Sequence, residues 1–216
     1  MDRNEVQARI IEVAQLVKAT LVGKHISIKD KCNGYKYVDD VQSNLRRLFL
    51  CFDLLDPRPG SSVFEIGPGN CFFLFMCREL RGCRVAGVDK ITDKDKGQGQ
   101  NTFRLFREHF GLADAIKAQF VEGMKPVDFG RRYDAIVATR AHFNRDWQES
   151  AYRFWLRDCY EHLQPEGKLL VHFRTIEPEI VTALPLLQPQ FAIKDVKKVS
   201  VISRESIGQV TGRTHT

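Results

Sequence analysis

The sequence predicts an α/β protein, a mostly parallel sheet with helices on both faces, preceded by a helical segment. Two observations carry that expectation. From Ser62 onward, short apolar runs alternate with longer amphipathic stretches. Before that point the pattern is purely helical, and it stops at a cluster of breakers, Asp56-Pro57-Arg58-Pro59-Gly60. The chain has 216 residues, 43% of them hydrophobic and 28% charged, enough for one such domain with a small appended segment. Collagen-like, disordered and mucin-like classes are excluded by the same composition.

Taken in order, Val6, Ile10, Val13, Val17 and Leu21 recur at steps of three and four, a helical stripe over residues 3–22. Residues 23–40 turn polar, with Tyr35 and Tyr37 among them. A second helical pattern follows in Val41, Leu45, Leu48, Phe49, Phe52 and Leu55. The runs at 63–66, 85–88, 118–121, 135–138 and 169–173 read as strands, and 71–80, 102–111, 147–163 and 177–187 as the helices between them. Runs 191–196 and 199–204 are too close for a helical crossover and predict an antiparallel pair. Residues 208–216 are polar and expected to be loose. The division is therefore 1–56, a helical cap or lid; 57–207, the main domain; and 208–216, a flexible tail.

No run approaches the roughly 18 apolar residues of a membrane span, and the N-terminus lacks a signal peptide's apolar core. The expectation is a soluble, cytoplasmic protein with no membrane partner. Cys32, Cys51, Cys71, Cys77, Cys83 and Cys159 form no CxxC pair, predict no metal site, and read as reduced, buried thiols. The net charge is +6, with 14 basic and 10 acidic groups in residues 57–140 and a near balance elsewhere. Without a basic arm, that excess permits a polyanionic partner but does not require one. The aromatic cluster Trp147, Tyr152, Phe154, Trp155 and Tyr160 has spacings that suit helix burial better than base stacking.

The most informative stretch joins the first strand to a helix through Gly67-Pro68-Gly69-Asn70. Such a turn lets a ligand approach the backbone, and the N–H groups of the next helix then face it. Twenty residues after Gly69, a second strand ends in Asp89, whose carboxylate can accept both hydroxyls of a ribose. Glu65 lies inside the first strand; a buried carboxylate there repels a diphosphate and attracts an ammonium or sulfonium. Phe72 stands where a dinucleotide fingerprint has its third glycine, so a cationic nucleoside fits better than a dinucleotide.

On these residues the chain resembles class I S-adenosylmethionine-dependent methyltransferases over roughly residues 61–205. Glu65-Ile-Gly-Pro-Gly-Asn70 is similar to the family's E-x-G-x-G loop, and Gly87-Val-Asp89 to its acid-terminated second strand. Phe120-Val-Glu-Gly-Met124, Tyr133-Asp134-Ala-Ile-Val137 and Leu163-Gln-Pro-Glu-Gly-Lys-Leu-Leu-Val171 resemble later segments. Cys71, Glu122 and Glu166 depart from the residues common there. The resemblance implies a Rossmann-like, seven-stranded sheet and S-adenosylmethionine as cofactor, with S-adenosylhomocysteine as product. It implies Gly67, Pro68, Gly69 and Asn70 around the methionine part, with Glu65 near the ammonium. Asp89 would hold the ribose, Lys90 and Ile91 would lie beside the adenine, and Glu122, Gly123 and Met124 around its edge. Thr139, at the expected end of strand four, completes this set.

A base for the acceptor is expected after strand four, in Ala138-Thr-Arg-Ala-His-Phe-Asn144, where His142 is the candidate. Arg140 and Asn144 are candidates to orient substrate, with His172 after strand five and Tyr35 and Tyr37 from the polar insert. The segment lacks a [DN]-P-P-[FYW] tetrapeptide, a Pro-Cys pair and an acidic pair for magnesium, which weakens nucleobase amine, cytosine carbon and catechol readings. The expected reaction is methyl transfer to an oxygen or nitrogen atom of a small molecule. The alternatives are an RNA (rRNA or tRNA) acceptor and a non-catalytic binding subunit.

Overall fold

The computed structural model describes residues 1–23, 40–90, 98–141, 144, 146–173, 177–187, 191–193 and 196–212. Strands β1 (Ser62–Ile66), β2 (Arg84–Asp89), β3 (Ile116–Ala118), β4 (Tyr133–Ala141) and β5 (Leu163–Phe173) run parallel; at one edge β7 (Val196–Ser203) pairs antiparallel with β5, and β6 (Phe191–Ile193) pairs antiparallel with β7. Their order is β3-β2-β1-β4-β5-β7-β6. The chain steps outward from β1 in one direction and then in the other, so the order reverses between β1 and β4. A crevice opens at the carboxyl ends of the strands at such a point.

Helices α1 (Arg3–Gly23), α2 (Val41–Leu55), α3 (Phe72–Arg81) and α4 (Gln98–His109) share one buried cluster with Val63, Ala135, Val137, Leu170 and Val199 of the sheet. On the opposite face, Phe64, Ile66, Val88, Ile136 and Leu169 pack with α5 (Glu149–His162) and α7 (Arg204–Thr211) through Trp155, Leu156 and Ile207. Strand residues alternate between the faces because successive side chains point to opposite sides. Both faces are covered, which is why β1 is buried along its whole length and reads as apolar but for Ser62 and Glu65.

The stripe Val6, Ile10, Val13, Val17 and Leu21 is buried throughout. It packs against α3, α4 and α2, while α2 also reaches β5 and β7. The N-terminal helices thus form a layer of one core with the sheet. The Asp40 side chain accepts from the Ser43 N–H to cap α2, and Asp56 ends that helix in the left-handed conformation. Residues 24–39, including Tyr35 and Tyr37, lie outside the described residues, as does Cys32. The five described cysteines are buried and free. Trp155, Tyr152 and Tyr160 are buried too, and Trp147 meets Tyr152 and Trp155 edge-on, so the aromatic cluster is packing.

Three expectations need correction. The third strand is Ile116–Ala118, not 118–121, because its partner β2 ends at Asp89, opposite Ala118. The helix expected over 177–187 stops as α6 (Pro178–Ala183) and resumes as a 3-10 turn, Pro185–Leu187. Pro185 disfavours helical backbone at the residue before it. The tail expected to be loose from 208 is helical to Thr211. Ser203 caps α7 by accepting from the Ser206 N–H, Ile207 and Gly208 are buried, and Gly212 closes the helix at φ 71°. Arg204 adds its guanidinium over the Tyr160 ring, 4.0 Å from the centroid. Among the described residues, no helix is long and apolar enough to cross a membrane.

Candidate functional site

The turn after β1 is held open by backbone geometry. Gly67 and Gly69 adopt φ 72° and 51°, values that side chains disfavour, and the Gly67 N–H donates to the Val88 carbonyl at 2.8 Å. A Cβ at Gly67 would meet nothing within 4 Å, whereas one at Gly69 would stand 3.4 Å from the Phe103 ring of α4. Cys71 begins α3 in the left-handed region, at φ 60°, where glycine would be free of strain. That cost, about 1–2 kcal/mol, is the consequence of a cysteine at this point of the loop. Burial pushes the Cys71 thiol up to about 12, so it stays protonated.

Asp89 ends β2 beside this turn. Its Oδ2 accepts the Gly69 N–H at 3.1 Å and the Arg107 Nη2 of α4 at 2.5 Å. The acid and the guanidinium are both largely buried. Burial raises the Asp89 carboxyl above its ordinary value, against the pull of Arg107 and of the Gly69 and Lys90 N–H groups. Loop, second strand and α4 are thereby joined at one carboxylate oxygen.

Glu65 faces the same side of the sheet as Val63 and Val137, and it is 1% exposed. Its Oε1 accepts the Thr139 hydroxyl of β4, the strand beside β1, while Oε2 is buried with no partner among the described residues. Burial pushes its carboxyl up to about 8; the Thr139 hydrogen bond opposes this, Asp89 adds to it, and Arg47 of α2 opposes it. Arg47 is buried and donates to Asn44 at 2.9 Å. Nearby, Asn70 Oδ1 and Arg107 Nε are also buried without partners. Among the described residues, two acceptors and one donor therefore flank the glycine turn without a partner. Such atoms cost free energy unless a ligand meets them.

The remaining sequence candidates divide. Thr139 joins the site directly, and Pro68 serves the turn, its carbonyl accepting the Cys71 N–H at 2.8 Å. Lys90 turns outward, its ammonium 5.1 Å from the centroid of the exposed Phe120 ring. Glu122 pairs with Lys125 at the surface, Gly123 packs against Trp147 and Ala151, and Met124 is exposed at φ 64°. Asn144 is buried, and its carbonyl accepts from the Tyr152 hydroxyl at 3.2 Å. His172 is buried in β5, paired in register with Val199. Ile91, His142, Tyr35, Tyr37 and the Arg140 side chain lie outside the described residues.

Arg107, Arg47 and Asn44 were not among the sequence candidates. A signal existed for two of them. Asn44 and Arg47 sit one helical turn before Leu48 and Cys51, so they fall on the apolar stripe of α2 where a polar residue needs a reason. Arg107 follows Phe106 and lies one turn after Phe103, but its partner is 18 residues away on another element.

No protein-family model matches this chain, and no curated protein matches its sequence. Solved structures do match in fold. The methyltransferase from Pyrococcus furiosus is 14% identical, with 76% of this chain and 84% of that one covered and a TM-score of 0.52. A TehB-like SAM-dependent methyltransferase from Corynebacterium glutamicum is 12% identical, covering 79% and 96%, with a TM-score of 0.51. TrmN from Thermus thermophilus is 20% identical over 72% of this chain, with a TM-score of 0.50; the match spans only 47% of that protein. A parallel sheet that reverses its order at β1, with a glycine turn there and an acid ending the adjacent strand, is what these likenesses have to explain. The architecture that does so is the class I S-adenosylmethionine-dependent methyltransferase fold, and this chain has it.

Proposed function

We propose that the protein is an S-adenosylmethionine-dependent methyltransferase that methylates an oxygen or nitrogen atom of a small molecule. The observation that carries this reading is Glu65, a buried carboxylate with one oxygen unpartnered, below a turn that admits a ligand to the backbone. A cationic amine satisfies that oxygen; a phosphate would be repelled by it. S-adenosylmethionine supplies, when bound, a methyl group already activated on a sulfonium.

The chain's own residues then bind and orient. Glu65 takes the ammonium, Gly67 and Gly69 admit the methionine part, and Asn70 Oδ1 offers a second acceptor. Asp89 accepts the ribose hydroxyls. Lys90 and Ile91 flank the adenine, with Glu122, Gly123 and Met124 at its edge. Holding donor and acceptor in line contributes about 7–11 kcal/mol of effective concentration, so little further chemistry is required. His142 removes the acceptor's proton, worth roughly 10²–10⁴-fold where the acceptor must lose one. Arg140, Asn144, His172, Tyr35 and Tyr37 shape the acceptor's side.

Calorimetry with S-adenosylmethionine and S-adenosylhomocysteine tests the reading at its base: both should bind, and absence of heat from either ligand excludes it. His142→Ala should lower turnover and leave cofactor affinity as in the wild type. A second reading, an RNA acceptor, draws on exposed Phe120 beneath the Lys90 ammonium, a place where a base can stack. It requires binding of RNA that weakens steeply with salt.

A further inference from the structure

Arg107 is a costly residue for its position. Its side chain is 6% exposed, and its counterion Asp89 is 16% exposed. A buried ion pair seldom stabilises a fold more than well-packed apolar side chains would. Among the described residues its Nε is buried without an acceptor, an added cost for a residue placed for structure alone. The pair sits where three elements meet: the acid ends β2, the guanidinium comes from α4, and the same acid oxygen receives the Gly69 N–H. One turn earlier on α4, Phe103 rests against Gly69. The helix is therefore fastened to the glycine turn at two points, one apolar and one ionic.

We propose that Arg107 is a cofactor-positioning residue, whose guanidinium holds the Asp89 carboxylate charged and turned against the glycine loop so that it receives the ribose hydroxyls. The inference rests on the cofactor reading above and assigns to it a residue outside the glycine loop and the strand ends. A protonated or rotated Asp89 accepts poorly from a diol. Desolvation pushes the acid toward its neutral form, and the adjacent cation opposes that push. The other charged groups around Asp89 do not substitute for it. Glu65 on β1 is an acid and brings no cation, Cys71 at the start of α3 is a neutral thiol, Lys90 turns toward Phe120, and Lys117 of β3 pairs with Asp128.

The test is calorimetry on the full chain with S-adenosylhomocysteine, for wild type, Arg107→Lys and Arg107→Met, as the pH is lowered from neutrality. 5′-Methylthioadenosine runs in parallel; it carries the ribose but no ammonium, so Glu65 drops out of its pH dependence. Arg107→Met should bind both ligands about tenfold more weakly or worse, and its binding should fail at a higher pH than the wild type's. Arg107→Lys keeps the charge and should restore the wild-type pH profile while recovering only part of the affinity, because it lacks the planar fork. A purely structural role would lower the melting temperature and leave the pH profile unmoved, which overturns the proposal. Tighter binding by Arg107→Met would overturn it too, by showing that the guanidinium competes with the ribose. If Arg107→Met does not fold, Arg107→Gln carries the same comparison. A wild type that binds neither ligand would remove the cofactor reading itself, an outcome distinct from wild-type binding with an indifferent Arg107.

Discussion

Replacing Glu65 by glutamine should make the ligand-free protein more stable and the cofactor weaker. In the unfolded chain this carboxyl titrates near its ordinary 4.5; in the fold burial pushes it up to about 8. The folded state therefore holds a proton that the unfolded state has lost at neutral pH. The stability that this acid allows is complete below 4.5, declines as pH rises toward 8, and levels off above it. At pH 7, some 2.5 pH units above the ordinary value at 1.36 kcal/mol each, the penalty is about 3 kcal/mol. Glutamine cannot ionise, and its amide oxygen can still accept the Thr139 hydroxyl. Urea unfolding at mildly acidic, neutral and mildly alkaline pH should thus show near-equal stabilities in acid and a widening advantage for Glu65→Gln above it. S-adenosylhomocysteine affinity should move the opposite way, since the amide offers an ammonium no charge. Parallel pH profiles for the two proteins would refute the argument, because they would mean that Glu65 ionises alike in folded and unfolded chains.

Two further outcomes follow from contacts of β1. A Cβ at Gly87 would lie 2.5 Å from the Glu65 carbonyl oxygen and 3.3 Å from Ile116, backbone on one side and a core side chain on the other. Gly87→Ala should cost about 1–3 kcal/mol in thermal or urea unfolding, and an unchanged midpoint would show that the strands part easily. Asp134 accepts both the Ser62 N–H and the Ser62 hydroxyl, at 2.7 and 2.6 Å. Although partial burial works against it, those bonds with Arg58 and Arg84 hold its carboxyl below the ordinary 3.8. Its stabilisation is present above that value and lost as pH falls through the depressed one, so Asp134→Asn should be less stable at neutral pH and converge on wild type in strong acid. A gap that persists unchanged into acid would rule this out.

The elements that could be read from the sequence are those whose cause is local. The glycine turn announces itself by composition, and Asp89 by its place at the end of an apolar run. The stripes of α1 and α2 appear as spacing alone. Where the cause is a partner, the neighbouring sequence does not carry it. The bounds of β3 depend on where β2 ends, which nothing near Ala118 records. The last helix carries its own signals, a Ser203 cap and Gly212 beyond Thr211, but its composition is polar; the packing of Ile207 decides for helix. Arg107 and Asp89 meet across 18 residues through the docking of α4, so neither side chain's neighbourhood is written beside it.

The two faces of the sheet explain why the site lies where it does. Phe64, Ile66, Val88 and Ala138 point to one side and are met by apolar side chains of the layer that contains α5. Strand alternation then forces Glu65, Asp89, Thr139 and His172 to the other side, toward α2 and α4. Those helices bring Asn44, Arg47 and Arg107, all buried. A sheet face that merely needed covering gains little from two buried acids and two guanidinium groups at its carboxyl end, since such groups are costly to desolvate. On the proposed reading, a ligand that offers a cation to Glu65 and hydroxyls to Asp89 offsets that cost. Among the N-terminal helices, α2 contributes to the surroundings of Glu65, because its Arg47 opposes the rise of that carboxyl.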